Sequence, residues 1–166
     1  MIFDSEDLLD SVLSVMTSGS ALNAAISALE ADKSTQGKGL TPTLAGVDAS
    51  AYFVQTWDNK ILNQKGPSIF FGIEDVQVSE NAGAVAKTYQ VFVEVVLVDD
   101  LTSPDGYKRI MRYSRALEEL FKNKFAPAIS MGSVKIQSVR PISFKLELDS
   151  SDEVKVGGIS LTIVLV

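Results

Sequence analysis

Residues 89–98 read Tyr-Gln-Val-Phe-Val-Glu-Val-Val-Leu-Val. The run is rich in β-branched and aromatic side chains and carries one charge. A half-buried strand alternates apolar and polar positions, whereas a strand covered on both faces reads as a near-continuous apolar run. This segment therefore predicts a central strand. It obliges the rest of the chain to supply flanking strands and helices to cover them.

Those elements can be read on either side. Leu8, Leu9, Val12, Leu13 and Met16 recur at helical spacing, and Leu22, Ala25, Ile26 and Leu29 resume the pattern after Ser18-Gly19-Ser20. Residues 1–31 are thus one helix with a weak centre or two helices. Ser5 is the expected N-cap, with Glu6, Asp7 and Asp10 near the positive end of the dipole. Residues 32–50 read as a linker or mobile loop, with Thr41-Pro42-Thr43 excluding helix before the proline. Residues 51–166 are expected to hold a sheet and a helix. Tyr52, Phe53, Val54 and Trp57 form a short aromatic segment, fit for an edge strand or a partner anchor, with core packing the favoured reading.

Ile69, Phe71 and Ile73 begin a strand that can continue through Val76 and Val78, with Ser79–Gly83 as the hairpin tip. Ser103 and Pro104 read as the N-cap and first residue of a helix running to about Lys124. Ile110, Tyr113, Leu117, Leu120 and Phe121 form its buried stripe. Val134, Ile136, Ile142, Phe144, Leu146 and Leu148 share one parity, a half-buried strand broken near Pro141 by a bend or bulge. Asp149–Glu153 turns the chain into a last strand through Ile159, Leu161, Ile163 and Leu165. The prediction is an α+β domain: a mainly antiparallel sheet of about four strands, in two hairpins, packed by an N-terminal helix and a central helix.

The 166 residues include no Cys and no His. That excludes structural zinc sites, disulfides and histidine-dependent nucleophiles. Net charge is −6, which disfavours non-specific nucleic-acid binding and anionic membrane surfaces. No signal peptide is expected, and no apolar run is expected to approach membrane-spanning length. No cofactor and no enzyme activity are expected.

Each candidate site has a plainer reading. Asp149, Asp152 and Glu153 lack calcium-loop spacing and read as a solvated turn. Glu74-Asp75 and Asp99-Asp100 fall at the ends of adjacent strands, where exposed carboxylates are common. Gly37-Lys38-Gly39 lacks the phosphate-loop pattern. Gly157-Gly158 reads as a close backbone approach or a bulge. Lys108, Arg109, Arg112 and Arg115 crowd the start of the central helix, where the macrodipole disfavours positive charge. Lys108, Arg112 and Arg115 share one face. That face is solvated, or a patch that pairs with Glu74, Asp75, Asp99 or Asp100 of a neighbouring subunit, or a nucleic-acid contact, which the overall acidity disfavours. On the second reading, replacing Arg112 and Arg115 with Glu weakens self-association.

The order Pro67-Ser68-Ile69-Phe70-Phe71-Gly72, then Tyr89–Val95, then a helix carrying Arg112-Tyr113-Ser114-Arg115-Ala116-Leu117-Glu118-Glu119-Leu120-Phe121, then two closing strands, resembles the tail-terminator and tail-completion proteins of long-tailed bacteriophages, with related neck and head–tail joining proteins. The resemblance spans about Ile61 to Val166 and lies in element order and texture. It implies a hexameric ring that caps the tail tube, halts its polymerisation and docks to the head connector. It implies a virion protein assembled in the host cytoplasm, whose lumen passes DNA without specific binding. Competing readings are a neck protein of different stoichiometry, a carboxylate-dependent enzyme, and a monomeric adaptor that binds peptide at a sheet edge.

Overall fold

The structure, a computed structural model, describes residues 4–54, 66–81, 83–100, 105–122, 134–141, 145–149 and 152–165; for 81, 84, 99–100, 134–141, 145–149, 152–153 and 165 the description covers the backbone only. Trp57, Ser103, Pro104, Ile142 and Phe144 lie outside the described residues.

Helix α1 spans Ser5–Thr17. Its N-cap is Asp4, not Ser5. The Asp4 carboxylate accepts from the backbone N–H of Glu6 and Asp7 at 2.9 and 3.0 Å, and Asp7 reaches back to the Asp4 N–H at 3.0 Å. A charged cap satisfies two orphan donors and also meets the helix dipole, so it outcompetes the neighbouring serine. Ser18–Ser20 forms one 3₁₀ turn, and α2 follows over Ala21–Thr35. Gly19 and Ser20 both take left-handed backbone, with φ of 60° and 55°. The N-terminal segment is therefore two helices. The second runs past the expected boundary at residue 31. Taken together, Ser5–Thr35 holds an 18-residue window of mean hydropathy 1.4, long and apolar enough by composition to cross a membrane, against the sequence expectation. The break at Gly19-Ser20 divides it, and Leu8, Val12, Met16, Leu22 and Ile26 are spent on the domain's own core.

The strands are β1 (Tyr52–Val54), β2 (Pro67–Asn81), β3 (Ala84–Asp100), β4 (Val134–Pro141), β5 (Lys145–Asp149) and β6 (Asp152–Leu165). Helix α3 spans Gly106–Leu120. The sheet order is β1-β2-β3-β6-β4, with β5 also pairing β6. β4 and β5 lie along successive parts of β6, facing Ile159–Leu165 and Asp152–Val156 respectively. They are the two halves of the strand expected to break near Pro141. The four principal positions are thus β2, β3, β6 and the split β4/β5, all antiparallel. β1 adds a short parallel edge, with Tyr52 beside Ile69 and Val54 beside Phe71.

β3 lies at the centre, as the residue 89–98 run requires. Tyr89, Val91, Val93, Val95 and Leu97 face the helices and pack with Ile69, Phe71, Ile159, Leu161, Ile163 and the stripe of α3. Each large side chain taken fully out of water contributes about 1.5–3 kcal/mol. Among the described residues, apolar packing on the opposite face gathers at one end. There Phe70, Val96, Val154 and Val156 cluster with Phe53 and Val98, and Phe53 stacks on Phe70 at 5.0 Å between ring centres. Phe92 and Glu94 on this face stay half-exposed.

The β2–β3 hairpin is tighter than expected. Asn81 pairs with Ala84, and Gly83 supplies the positive φ of 83° that the two-residue loop requires. A bulge between Ile73 and Asp75 sets Glu74 out of the ladder. The expected close approach at Gly157-Gly158 is present. Gly158 has φ +148°, and a Cβ there would stand 2.1 Å from the Val93 carbonyl oxygen. Gly158→Ala is expected to destabilise the domain by about 3 kcal/mol, read from urea midpoints. A loss under about 1 kcal/mol would show that β3 and β6 yield easily at this point.

Candidate functional site

The basic residues of α3 mark the candidate surface, and the structure divides them. Arg112 turns inward. It donates to the Glu30 carboxylate of α2 at 2.5 Å and to the Lys38 carbonyl, with side-chain exposures of 12% for Arg112 and 16% for Glu30. Arg109 is buried, at 4% exposure. Lys108 and Arg115 are exposed. Lys108 pairs with Asp105 at 3.1 Å, one turn back. Arg115 pairs with Glu119 at 2.8 Å and Glu118 at 3.1 Å. Lys122 completes that run by donating to Glu118 at 2.5 Å.

This corrects the single basic face inferred from spacing. Lys108, Arg112 and Arg115 do share a side of α3, but Arg112 is used up inside the chain. Reversing its charge would set Glu against Glu30, so Arg112→Glu would report on folding as much as on association. Arg115 is the cleaner surface probe. The cost of placing cations early in the helix is offset locally. Asp105 sits before Lys108, and two glutamates follow Arg115. Exposed pairs of this kind contribute about 0–1 kcal/mol each.

The helix itself starts at Gly106, two residues later than expected, because Asp105 has non-helical backbone. Its carboxylate makes no cap bond to α3. It accepts instead from the Thr41 N–H at 3.0 Å and from Lys108. The Thr41 bond, then Lys108, then the charge of Arg109 hold its pKa below the ordinary 3.8. Glu118 is also held low, first by the Lys122 bond and then by the charges of Lys122 and Arg115. Arg115 is raised by Glu119 and Glu118.

These contacts explain residues 36–51. The segment has no helix or strand, as expected for a linker, yet it is strapped to the helices. The Asn23 side chain donates to the Val47 carbonyl at 3.0 Å and accepts from the Val47 N–H at 2.8 Å. Glu30 accepts from the Leu44 N–H at 3.4 Å. The Tyr113 hydroxyl donates to the Ala45 carbonyl at 2.7 Å. Leu40, Val47 and Ala51 of the segment are themselves buried. The sequence placed Tyr113 in the buried stripe of α3 and Asp105 at the helix start, but marked none of Asn23, Glu30, Asp105 and Tyr113 as an anchor for this segment. No local signal marks them, because each reaches a residue far away along the chain.

The acidic candidates do not converge. Glu74 and Asp75 lie at the bulge within β2, not at a strand end, and both are exposed. Asp75 lies opposite Gln90, so Asp100 is ten residues further along β3, or about 33 Å away. Asp99 faces Glu153, and Asp100 faces Asp152, which in turn faces Asp149. The two acidic pairs are therefore far apart, one near the middle of the β2–β3 ladder and the other at the end of β3. Among the described residues, no group of three or more carboxylates, thiols or imidazoles is arranged to hold a metal ion. A cleft of about 440 Å³ runs between α2 and the end of α3, opened by the small side chains of Ala21, Ala25 and Ala28. The two carboxylates at its rim are engaged within the chain: Asp32 accepts from Gln36 at 2.8 Å and Glu119 from Arg115.

No protein-family model matches the chain, and no curated protein matches it.

Two predictions follow from the strap. Arg112→Ala is expected to cost about 2–3 kcal/mol, because it leaves a partly buried Glu30 without its cation. A double-mutant cycle with Glu30→Ala should give clear coupling, and strictly additive losses would contradict a shared pair. Asp105 has a folded pKa below its unfolded value, so it binds fewer protons folded than unfolded at acid pH. Its contribution is fully present above about pH 4 and is lost as pH falls through the folded pKa. The stability gap between wild type and Asp105→Asn should therefore be wider at pH 6 than at pH 3. A gap independent of pH would show that the carboxylate charge plays no part.

Proposed function

We propose that this chain is a structural virion subunit of the tail-terminator type. It forms a ring, about six copies by the resemblance, that caps the tail tube, stops its polymerisation and docks to the head connector. The observation that carries this reading is the agreement between the α+β architecture and the element order on which the resemblance rests: a helical N-terminal segment, a long hairpin, a helix layered on one sheet face, and a closing pair of strands. The net charge of −6 suits a conduit that passes DNA without holding it. On this reading the protein uses no cofactor, catalyses no reaction and assembles in the host cytoplasm. A neck or head-completion subunit of the same region would share these features.

One observation favours a second reading. β1 covers β2 only at Ile69–Phe71, and among the described residues no strand pairs the outer edge of β2 from Gly72 to Asn81. A free strand edge is what a monomeric adaptor offers to an extended peptide.

Light scattering after size exclusion, across protein concentration and salt, separates the two. The terminator reading expects a closed species near six times the 17.9 kDa subunit mass, visible as a ring with a central channel by electron microscopy. A strict monomer at every concentration, which also fails to bind tail tubes, would discard it in favour of the adaptor.

A further inference from the structure

Among the described residues, the sheet has two margins without a strand partner, and they are of opposite charge. The outer edge of β2 over Gly72–Asn81 carries Glu74, Asp75 and Glu80 and no basic residue. At the far side, β4 has one partner, β6, among the described residues, and carries Lys135 and Arg140 with no acidic residue. We propose that β4 of one copy pairs antiparallel with the free half of β2 in the next copy, so that a single sheet runs from subunit to subunit. This deepens the ring reading and rests on it in one respect, that copies associate head to tail.

Strand direction supports the pairing. β2 is antiparallel to β3, β3 to β6, and β6 to β4. β2 and β6 therefore run one way, β3 and β4 the other. A copy rotated about an axis along the strands keeps its strand directions, so its β2 meets the preceding β4 antiparallel. The contact is heterologous, and repetition with a fixed rotation closes a ring.

Charge placement agrees. In an antiparallel ladder, Asp75 opposite Arg140 puts Val76 opposite Val139. The bulge between Ile136 and Ser138 of β4 then leaves Glu80 one position past Lys135, so one pair of opposite charges lies in direct register and the second lies adjacent. Opposite charges across a pair contribute, whereas like charges oppose. The same rule disfavours β2 against a second β2, because the acidic residues would meet. Val76 and Val78 are exposed at 42% and 61%. An edge with exposed valines and no lysine or proline is a liability unless something covers it.

The absence of cysteine makes the test direct. Asp75→Cys and Arg140→Cys are placed together in one chain, and each alone in control chains. Antiparallel partners lie about 4.5–5.5 Å apart at Cα, within disulfide reach. Mild oxidation of the double variant should give a covalent ladder that ends at the ring size; the single variants should stop at dimer or below. Reversing β2 (Glu74→Lys, Asp75→Lys, Glu80→Lys) should weaken association at least tenfold. Reversing β4 as well (Lys135→Glu, Arg140→Glu) should restore it, with unchanged circular dichroism showing the fold intact. If wild type forms rings but the double variant gives no ladder and charge reversal has no effect, the edge pairing is wrong and the ring reading survives. If wild type stays monomeric, fails to bind tail tubes, and the double variant gives no ladder, both fall.

Discussion

Arg112 extends from the middle of α3 to the Glu30 carboxylate of α2, and a second terminal nitrogen donates to the Lys38 carbonyl. The end of α2, the segment that follows it, and the distant α3 meet at that guanidinium. Its planar fork serves two acceptors at once, which a lysine at the same position would do poorly. The pair also fixes what surrounds it. With α2 held against α3, Asn23 and Tyr113 can reach Val47 and Ala45, and Asp105 can reach Thr41. The strap then covers the helix layer and delivers the chain to β1. Most of the apolar energy resides in the sheet–helix core, but the relative placement of the helices depends on this polar junction.

That arrangement leaves the two sheet faces unequal. One is sealed by α1, α2 and α3. On the other, apolar packing gathers around Phe70 and Val96, while Phe92 and Glu94 remain half-exposed. Gly72 is tolerated inside a strand because the Phe92 ring lies over it, where an added Cβ would stand 2.9 Å away. Gly158 is needed for the opposite reason, since the backbone of β3 occupies the space a side chain would take. Both glycines lie in β2 and β6, the strands that flank β3. They show how closely the sheet is drawn in around its central strand.

Much of this was legible in the sequence. The residue 89–98 run announced a central strand, the α3 stripe from Ile110 to Phe121 is buried throughout, and Gly157-Gly158 marked a close approach. Each of these signals is local, a periodicity or a residue type. The failures were failures of partnership. The spacing of Lys108, Arg112 and Arg115 gives their side of the helix correctly and says nothing of Glu30, which is 82 residues from Arg112. Asp105 looked like part of a helix start and is an anchor for the strap. β1 is the edge strand that the aromatic segment at Tyr52–Val54 suggested, but its parallel pairing with β2 over only three residues left no local pattern. At the first helix, Asp4 and Ser5 were both capping residues, and the carboxylate prevailed on electrostatics.

The redistribution of the basic residues bears on how copies would meet. Once Arg112 and Arg109 belong to the fold, the four basic candidates of α3 leave Lys108 and Arg115 for a partner, and both already have carboxylates beside them. An exposed cation with a local counter-ion gains little from a second one, because each new pair must first loosen the old. The strand edges differ. Their main-chain groups are satisfied only by water or another strand, and one pairing answers a whole row of donors and acceptors together. If two copies associate, the free energy is therefore better sought along β2 and β4 than across the face of α3. The acidic β2 margin then has a selective role, steering the basic β4 edge toward it and holding a second acidic edge away.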